Sequence, residues 1–241
     1  MRLVVGLGNP GKEHERQRHN AGFWLLERFA AQGGVVLRKD AKFQALVGRH
    51  EPSGAWLVLP QTYMNLSGMA VRMLSTFFKI PAAEVLVIHD EVDFPPGVAR
   101  LKQGGGIAGH NGLKDISQRL GTHEYWRLRI GIGHPGDKNE VPDYVLHRPA
   151  AEEREAIDAA IAKAIEVLPQ VLAGDLQGAM QKLHTQEIPE KAPTAKEPAA
   201  KPKAKPEPKA EKPAAPPQEP ARASGGLRGL LGSLLHPSRK K

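Results

Sequence analysis

The 241-residue chain contains no cysteine. That absence removes disulfides, thiolate zinc ligands and a thiolate nucleophile together, and it suits a reducing compartment. Also missing is any apolar run near the roughly 20 residues a bilayer span needs, and Met1-Arg2 leads straight into a short apolar stretch. The cytoplasm is the expected location. Asparagine is scarce, five residues in all, so where it falls carries information. A strong charge excess is lacking from most of the chain. The net charge is +8, but residues 1–185 carry 22 Lys+Arg against 20 Asp+Glu, while residues 186–241 carry 12 against 6. Attraction to phosphate therefore has to come from where charges sit in the first part, not from its total.

The chain opens on Leu3-Val4-Val5-Gly6-Leu7-Gly8-Asn9-Pro10-Gly11, an apolar run breaking into a Gly/Asn/Pro turn, followed by a polar arm ending in Arg18-His19-Asn20. Such a run reads as a buried strand whose end opens into a loop. In open α/β sheets ligands bind at that end. The glycines satisfy the dinucleotide fingerprint G-x-G-x-x-G, but that pattern has meaning only where a helix starts among them. Here residues 12–18 are charged or polar without apolar period. The first helical pattern, 21–32, has Phe23, Leu26 and Ala30 on one face and stops at Gly33-Gly34.

Short strands are expected at 35–37, 43–49 and 56–59, and an amphipathic helix carrying Val71, Leu74, Phe77 and Phe78 follows the polar turn that holds Asn65. The plain reading of Asn65 is a cap or turn residue. Four consecutive branched apolar residues, 85–88, form the clearest central strand, ending in His89-Asp90-Glu91. Adjacent His-Asp also suggests a metal phosphohydrolase, but no further ligands stand at helical spacing, so Asp90 reads as a carboxylate free to hold an imidazole from another strand-end loop. The glycine-rich stretch 103–112 reads as mobile backbone beside a ligand, and a helix follows over 113–120. In Arg127-Leu128-Arg129-Ile130 the two arginines share one strand face, either as a solvated surface or as a phosphate contact.

Pro149 opens a long helix with Glu152 and Glu153 in its first turn and Ile157, Ile161, Ile165 and Leu168 as its core stripe; Pro169 should kink or end it before Gly174, and Asp175 should cap a last helix ending near His184. Residues 186–225 are rich in Pro, Ala and Lys and should be disordered. Residues 226–241 carry Leu227, Leu230, Leu231, Leu234 and Leu235 before a basic end. They read as an inert tail or as a helix for an unknown partner or a membrane surface.

Four of the five asparagines, Asn9, Asn20, Asn65 and Asn111, fall in the loops singled out, and Asp90 ends another strand. Neutral amides suit peptide groups and ribose hydroxyls, and an imidazole oriented by a carboxylate takes a proton from water near neutral pH. With no thiol, nucleophile elbow or convincing metal cluster, water is left as the attacking group and a carbonyl carbon as its target.

Gly6-Leu7-Gly8-Asn9-Pro10-Gly11, Arg18-His19-Asn20-Ala21-Gly22, Met64-Asn65-Leu66-Ser67-Gly68, His89-Asp90-Glu91, Gly109-His110-Asn111-Gly112-Leu113-Lys114 and Arg129-Ile130-Gly131-Ile132-Gly133 resemble, in order and through about residue 185, the bacterial peptidyl-tRNA hydrolase family. The resemblance implies an α/β single domain with a mixed, mostly parallel twisted sheet flanked by helices. It also implies a monomer that cleaves the ester between a peptide and the 3′ ribose of tRNA without metal or nucleotide cofactor. His19 would be the general base, Asp90 would orient it, and Asn9 would help position His19 and substrate. Asn65 and Asn111 would hold the peptide backbone and the tRNA end, while Tyr63, Met64 and His110 would contact the substrate. Lys102 and Arg129 would clamp the 5′ phosphate, with Lys114 nearby. Ile107-Ala108 depart from the smaller or more polar residues usual there, which bears on loop flexibility. The alternative is an RNA-binding module without catalysis, resting on Lys102, Arg127, Arg129 and the basic tail.

Overall fold

A computed structural model describes residues 1–184. Seven strands form one sheet: β1 (Leu3–Gly6), β2 (Arg38–Asp40), β3 (Ala45–His50), β4 (Ala55–Pro60), β5 (Val85–Glu91), β6 (Ala99–Gln103) and β7 (Trp126–Gly131). Their spatial order is β2-β3-β4-β1-β5-β7-β6. The central four, β4-β1-β5-β7, run parallel; β2, β3 and β6 join them by antiparallel pairing at the two edges. The sheet is thus mixed, with its parallel part confined to the centre.

The helices are α1 (Ala21–Gln32), α2 (Ser67–Phe77), α3 (Asn111–Leu120), a short α4 (Val141–Val145), α5 (Ala151–Ala173) and α6 (Leu176–His184). They cover both faces, so the central strands are apolar on both. Val4, Leu86, Ile88, Leu128 and Ile130 join the core shared with α1, α5 and α6, whereas Leu3, Val5, Val85 and Val87 join the core under α2 and α3. Residues 85–88 are wholly inaccessible; each such side chain contributes about 1.5–3 kcal/mol of transfer free energy. The predicted core stripe Ile157, Ile161, Ile165 and Leu168 is buried as well.

Four local expectations change. The strand expected at 35–37 forms at Arg38–Asp40, which is charged and edge-lying; backbone pairing with β3, not apolar pattern, defines it. β5 continues through Glu91, so His89 and Asp90 lie within the strand and not after it. α3 starts at Asn111, because the His110 side chain caps it. Finally, α5 runs through Pro169 to Ala173. A helix-interior proline costs about 3 kcal/mol, but Val167, Leu168, Val171 and Leu172 on either side are buried and keep the helix on the sheet. The expectations for residues 186–225 and 226–241 lie outside the described residues. No helix among the described residues is long and apolar enough to cross a membrane.

Candidate active site

The carboxyl ends of β1 and β5 converge because α1 is pulled against them. The Leu7 N–H donates to the Ile88 carbonyl at 2.9 Å, and the Phe23 N–H donates to the Leu7 carbonyl at 3.1 Å. Gly22 makes this approach possible: a Cβ there would strike the Ile88 carbonyl and the Leu7 backbone. No helix begins among the glycines of residues 6–11, so the dinucleotide reading loses the helix end it requires. The turn Arg18–Asn20 instead swings His19 over β5.

His19 Nδ1 lies 2.9 Å from both carboxylate oxygens of Asp90. Asp90 receives a second imidazole, His110 Nε2, at 3.1 Å. The tautomer of His110 is fixed by its other nitrogen, since Nδ1 accepts the N–H groups of Gly112 and Leu113 at 3.1 and 3.3 Å and so caps α3. The proton therefore sits on Nε2 and is donated to Asp90. His19, with Nδ1–H spent on Asp90, keeps Nε2 without a protein partner among the described residues, at the cleft. Burial alone would push the Asp90 carboxyl up, yet the two imidazoles hold it well below the usual carboxylate range. For His19 burial pulls the other way, and the Asp90 charge and hydrogen bond outweigh it, leaving the imidazole above its ordinary value. The result is an anion buried among donors and a histidine whose free nitrogen is made more basic.

His89 does something else. Its Nδ1–H donates to the Asp90 backbone carbonyl at 2.6 Å, its Nε2 has no partner, and burial with the neighbouring His110 keeps it neutral, well below the usual imidazole range. It does not pair with the Asp90 carboxylate in the way the adjacent His-Asp reading needed. Among the described residues, His19, Asp90 and His110 are the set whose ligand atoms lie within 4.8 Å of one another. As hydrogen-bonded here, both imidazoles turn N–H groups, not lone pairs, toward the carboxylate, which is an arrangement for proton chemistry.

The amides divide into two kinds. Asn20 and Asn9 are buried and locked: the Asn9 N–H donates to Asn20 Oδ1 and Asn20 Nδ2 donates to the Asn9 carbonyl, both at 2.9 Å. Asn9 Oδ1 accepts the Met64 N–H at 2.8 Å. That bond fixes the side-chain orientation and leaves Asn9 Nδ2 as a donor without a protein partner among the described residues. Asn65 and Asn111 are exposed and make no side-chain hydrogen bonds among the described residues, so Asn65 is a turn residue, in the turn Met64–Leu66, and not a cap. The first turn of α2 is tied down by Asp115, which accepts the Gly68 N–H at 2.8 Å. Tyr63 stands out into solvent at 65% exposure, edge-on to His14. Met64 is buried, its sulfur against Gly112, forming the floor and not the lining.

The two arginines of β7 separate. Arg127 is buried and donates to the Gly104 and Gly106 carbonyls, a strut for the glycine loop. Lys102, paired across the strands with Arg127, is exposed, and its Nζ lies against Gly105, where φ is +89° and only glycine is unstrained. Arg129 stacks on Phe94 at 4.4 Å and pairs with Glu91 at 3.6 Å, so part of its charge is already compensated. Lys114 is exposed on α3.

A cleft of about 550 Å³ is walled by His19, Asp90, the loop Ile107–Asn111, His134, Lys138, and Val141, Pro142 and Val145 of α4; of the predicted site residues, Asn9, Tyr63, Met64, Asn65, Lys102, Lys114 and Arg129 are not in its lining. Ile107 and Ala108 form part of its wall. His134, Lys138 and α4 carried no sequence signal beyond a turn around Gly136; the chain's return after β7 brings them there. Arg18 was legible only as part of a motif. It is buried, bonds the Tyr144 and His147 carbonyls at 3.2 Å and Glu153 at 2.7 Å, and so fastens the His19 turn to α4 and α5.

Comparison with known proteins agrees over the same part of the chain. The family model described as peptidyl-tRNA hydrolase matches residues 3–191. A peptidyl-tRNA hydrolase of Thiobacillus denitrificans is 54% identical over 185 residues, covering 77% of this chain and 91% of its own. One of Nitrosospira multiformis is 55% identical over 189 residues, covering 78% and 99%. The crystal structure of a peptidyl-tRNA hydrolase from Acinetobacter baumannii superposes with a TM-score of 0.74 at 44% identity, covering 76% of this chain and 94% of the other.

Proposed function

Because this chain belongs to the peptidyl-tRNA hydrolase family, we propose that it hydrolyses the ester joining a peptide to the 3′ ribose of tRNA, using water activated by His19. The observation that carries this reading is the His19–Asp90 contact with Nε2 left open at the cleft. In the reaction Nε2 takes a proton from water as the water oxygen attacks the ester carbonyl. Asp90 balances the imidazolium that results. Collapse of the tetrahedral intermediate breaks the bond to the ribose oxygen, which receives the proton back from His19, leaving a peptide carboxylic acid and a tRNA 3′ terminus. A positioned base contributes about 10²–10⁴-fold.

Asn9 Nδ2, the exposed amides Asn65 and Asn111, and Tyr63 hold the peptide and the terminal nucleotide in this reading, and His110 keeps Asp90 in place. Lys102, with Arg129 and Lys114, receives the 5′ phosphate; Lys102 is the freer of the first two, since Arg129 leans on Glu91. Residues 1–185 form the hydrolytic unit, acting as a monomer in the cytoplasm and without metal. Residues 186–241 are a separate appendage.

The test is release of free tRNA from an N-blocked aminoacyl-tRNA. Wild-type protein should release it in the presence of chelator, and His19→Ala should abolish turnover with little loss of stability. Normal release by His19→Ala would overturn the assignment of the base. Salt-sensitive tRNA binding with no release by the wild-type protein would favour the non-catalytic RNA-binding alternative.

A further inference from the structure

A second cleft, of about 470 Å³, lies at the start of α5, lined by Arg16, Arg148, Pro149, Ala150, Ala151 and Arg154. Its charged lining is three guanidinium groups with no carboxylate. Arg16 stands only two residues before Arg18, whose backbone N–H donates to the carbonyl of His147, the neighbour of Arg148, at 3.1 Å. The cleft is therefore held rigidly next to the catalytic turn. The amino end of α5 is already capped, the Ala150 N–H donating to Glu153 Oε2 at 2.8 Å, so the positive character of the cleft comes from its arginines.

Charge accounting singles this cleft out. Arg154 is committed, stacked over Trp24 at 3.8 Å and bonded to Asp158 at 3.0 Å. Arg16 meets only its exposed neighbour Glu15 at 3.6 Å, and Arg148 makes no ion pair among the described residues. Arg129 on the expected phosphate side meets Glu91 at the same distance, but that pair is largely buried, whereas Arg16 and Glu15 are exposed and solvent weakens their attraction. Two exposed planar forks in a concave site, Arg148 without an ion pair among the described residues and Arg16 with only the exposed Glu15, suit bidentate contact with a phosphate oxygen pair.

We propose that this cleft is a second phosphate-binding site, which takes the sugar-phosphate backbone of the tRNA body while the 3′ end lies in the catalytic cleft. The proposal rests on the hydrolase reading for the identity of the nucleic acid. It makes Arg16 and Arg148 affinity residues, remote from the reacting ester. A substrate too short to leave the catalytic cleft gains nothing from them.

The experiment uses the full 241-residue chain and the double variant Arg16→Gln/Arg148→Gln, with Arg38→Gln/Lys39→Gln on the far sheet edge as a control of equal charge change. For N-blocked aminoacyl-tRNA, KM should rise about tenfold in the cleft variant, as for one or two lost charged contacts, with kcat unchanged. The slope of log(kcat/KM) against log[salt] should become shallower by about one per phosphate released. An N-blocked aminoacyl ester of a 3′-terminal trinucleotide should be cleaved equally by all three proteins. Binding of deacylated tRNA, measured separately, should weaken only in the cleft variant; that readout holds even if no ester is cleaved, so loss of the hydrolase reading is told apart from loss of this one. Unchanged tRNA affinity and salt slope in the cleft variant, or an equal change in the control, would overturn the proposal.

Discussion

The buried hub and the exposed rim of the catalytic cleft are built in opposite ways. In the hub, His19, Asp90, His110, Asn9 and Asn20 are nearly inaccessible, and most of their donors and acceptors are spent on one another or on backbone. On the rim Asn111 is exposed, and Tyr63 and Asn65 are exposed outside the cleft lining; the two asparagines make no side-chain hydrogen bonds among the described residues. Preorganisation is useful where charge changes during reaction, because buried dipoles need no rearrangement at that moment. Freedom is useful where varied peptides must be received. The hub should therefore respond to mutation in kcat and stability, the rim in KM alone.

The largest break in that contrast should come from Asp90→Asn. It removes the charge that makes His19 more basic, so kcat should fall about 10²–10⁴-fold, measured by tRNA release. The pH profile sharpens the point. Turnover needs neutral His19, and its imidazole sits above the ordinary value, so wild-type kcat should rise with pH through that raised pKa. In Asp90→Asn burial remains while the raising charge is gone, and the rise should move to lower pH. The stability linkage has the opposite sense: the gain from a charged His19 is fully present below its unfolded pKa and is lost as pH rises through the folded one.

Next comes Gly22→Ala, which places a methyl group against the Ile88 carbonyl. Overpacking of this kind costs about 1–3 kcal/mol, read as a lower midpoint in urea, with kcat falling as the His19 turn is pushed from β5. His110→Ala should cost about 0.5–2 kcal/mol through loss of the α3 cap, and the glycine loop should become more susceptible to proteolysis. Among the exposed residues, Asn65→Ala and Asn111→Ala should leave the unfolding midpoint within about 0.5 kcal/mol of wild type while raising KM. An unfolding midpoint that dropped in these variants as far as in His110→Ala would erase the contrast. The smallest effect is expected from truncation after His184, which should leave hydrolysis of free substrate unchanged in the release assay.

Much of the hub was legible before folding. Asn9 and Asp90 stood just past apolar runs and His19 at the end of the polar arm that follows the first of them, and strand ends in a parallel sheet share one edge. The roles of individual atoms were not. Asn20 and Asn9 look alike in a sequence, yet one is a brace and the other keeps a free donor. Arg127 and Arg129 share a face by alternation, but burial turns the first toward the Gly104 and Gly106 carbonyls, a partnership 21 or more residues distant that no local pattern encodes. His134, Lys138 and α4 reach the cleft only through the path taken after β7.

The chain's own sequence determined which segments bury themselves and which stay polar, because side-chain period and apolar content act locally: the strands 85–88 and 126–131, the long helix beginning near Pro149, and a family identity carried by short motifs. Tertiary structure alone decided which polar groups meet. Whether an imidazole finds a carboxylate, whether an arginine is a strut or an open charge, and whether two basic loops make a cleft all depend on contacts between residues far apart in the chain, where angstrom-level distance and loss of water set the energy.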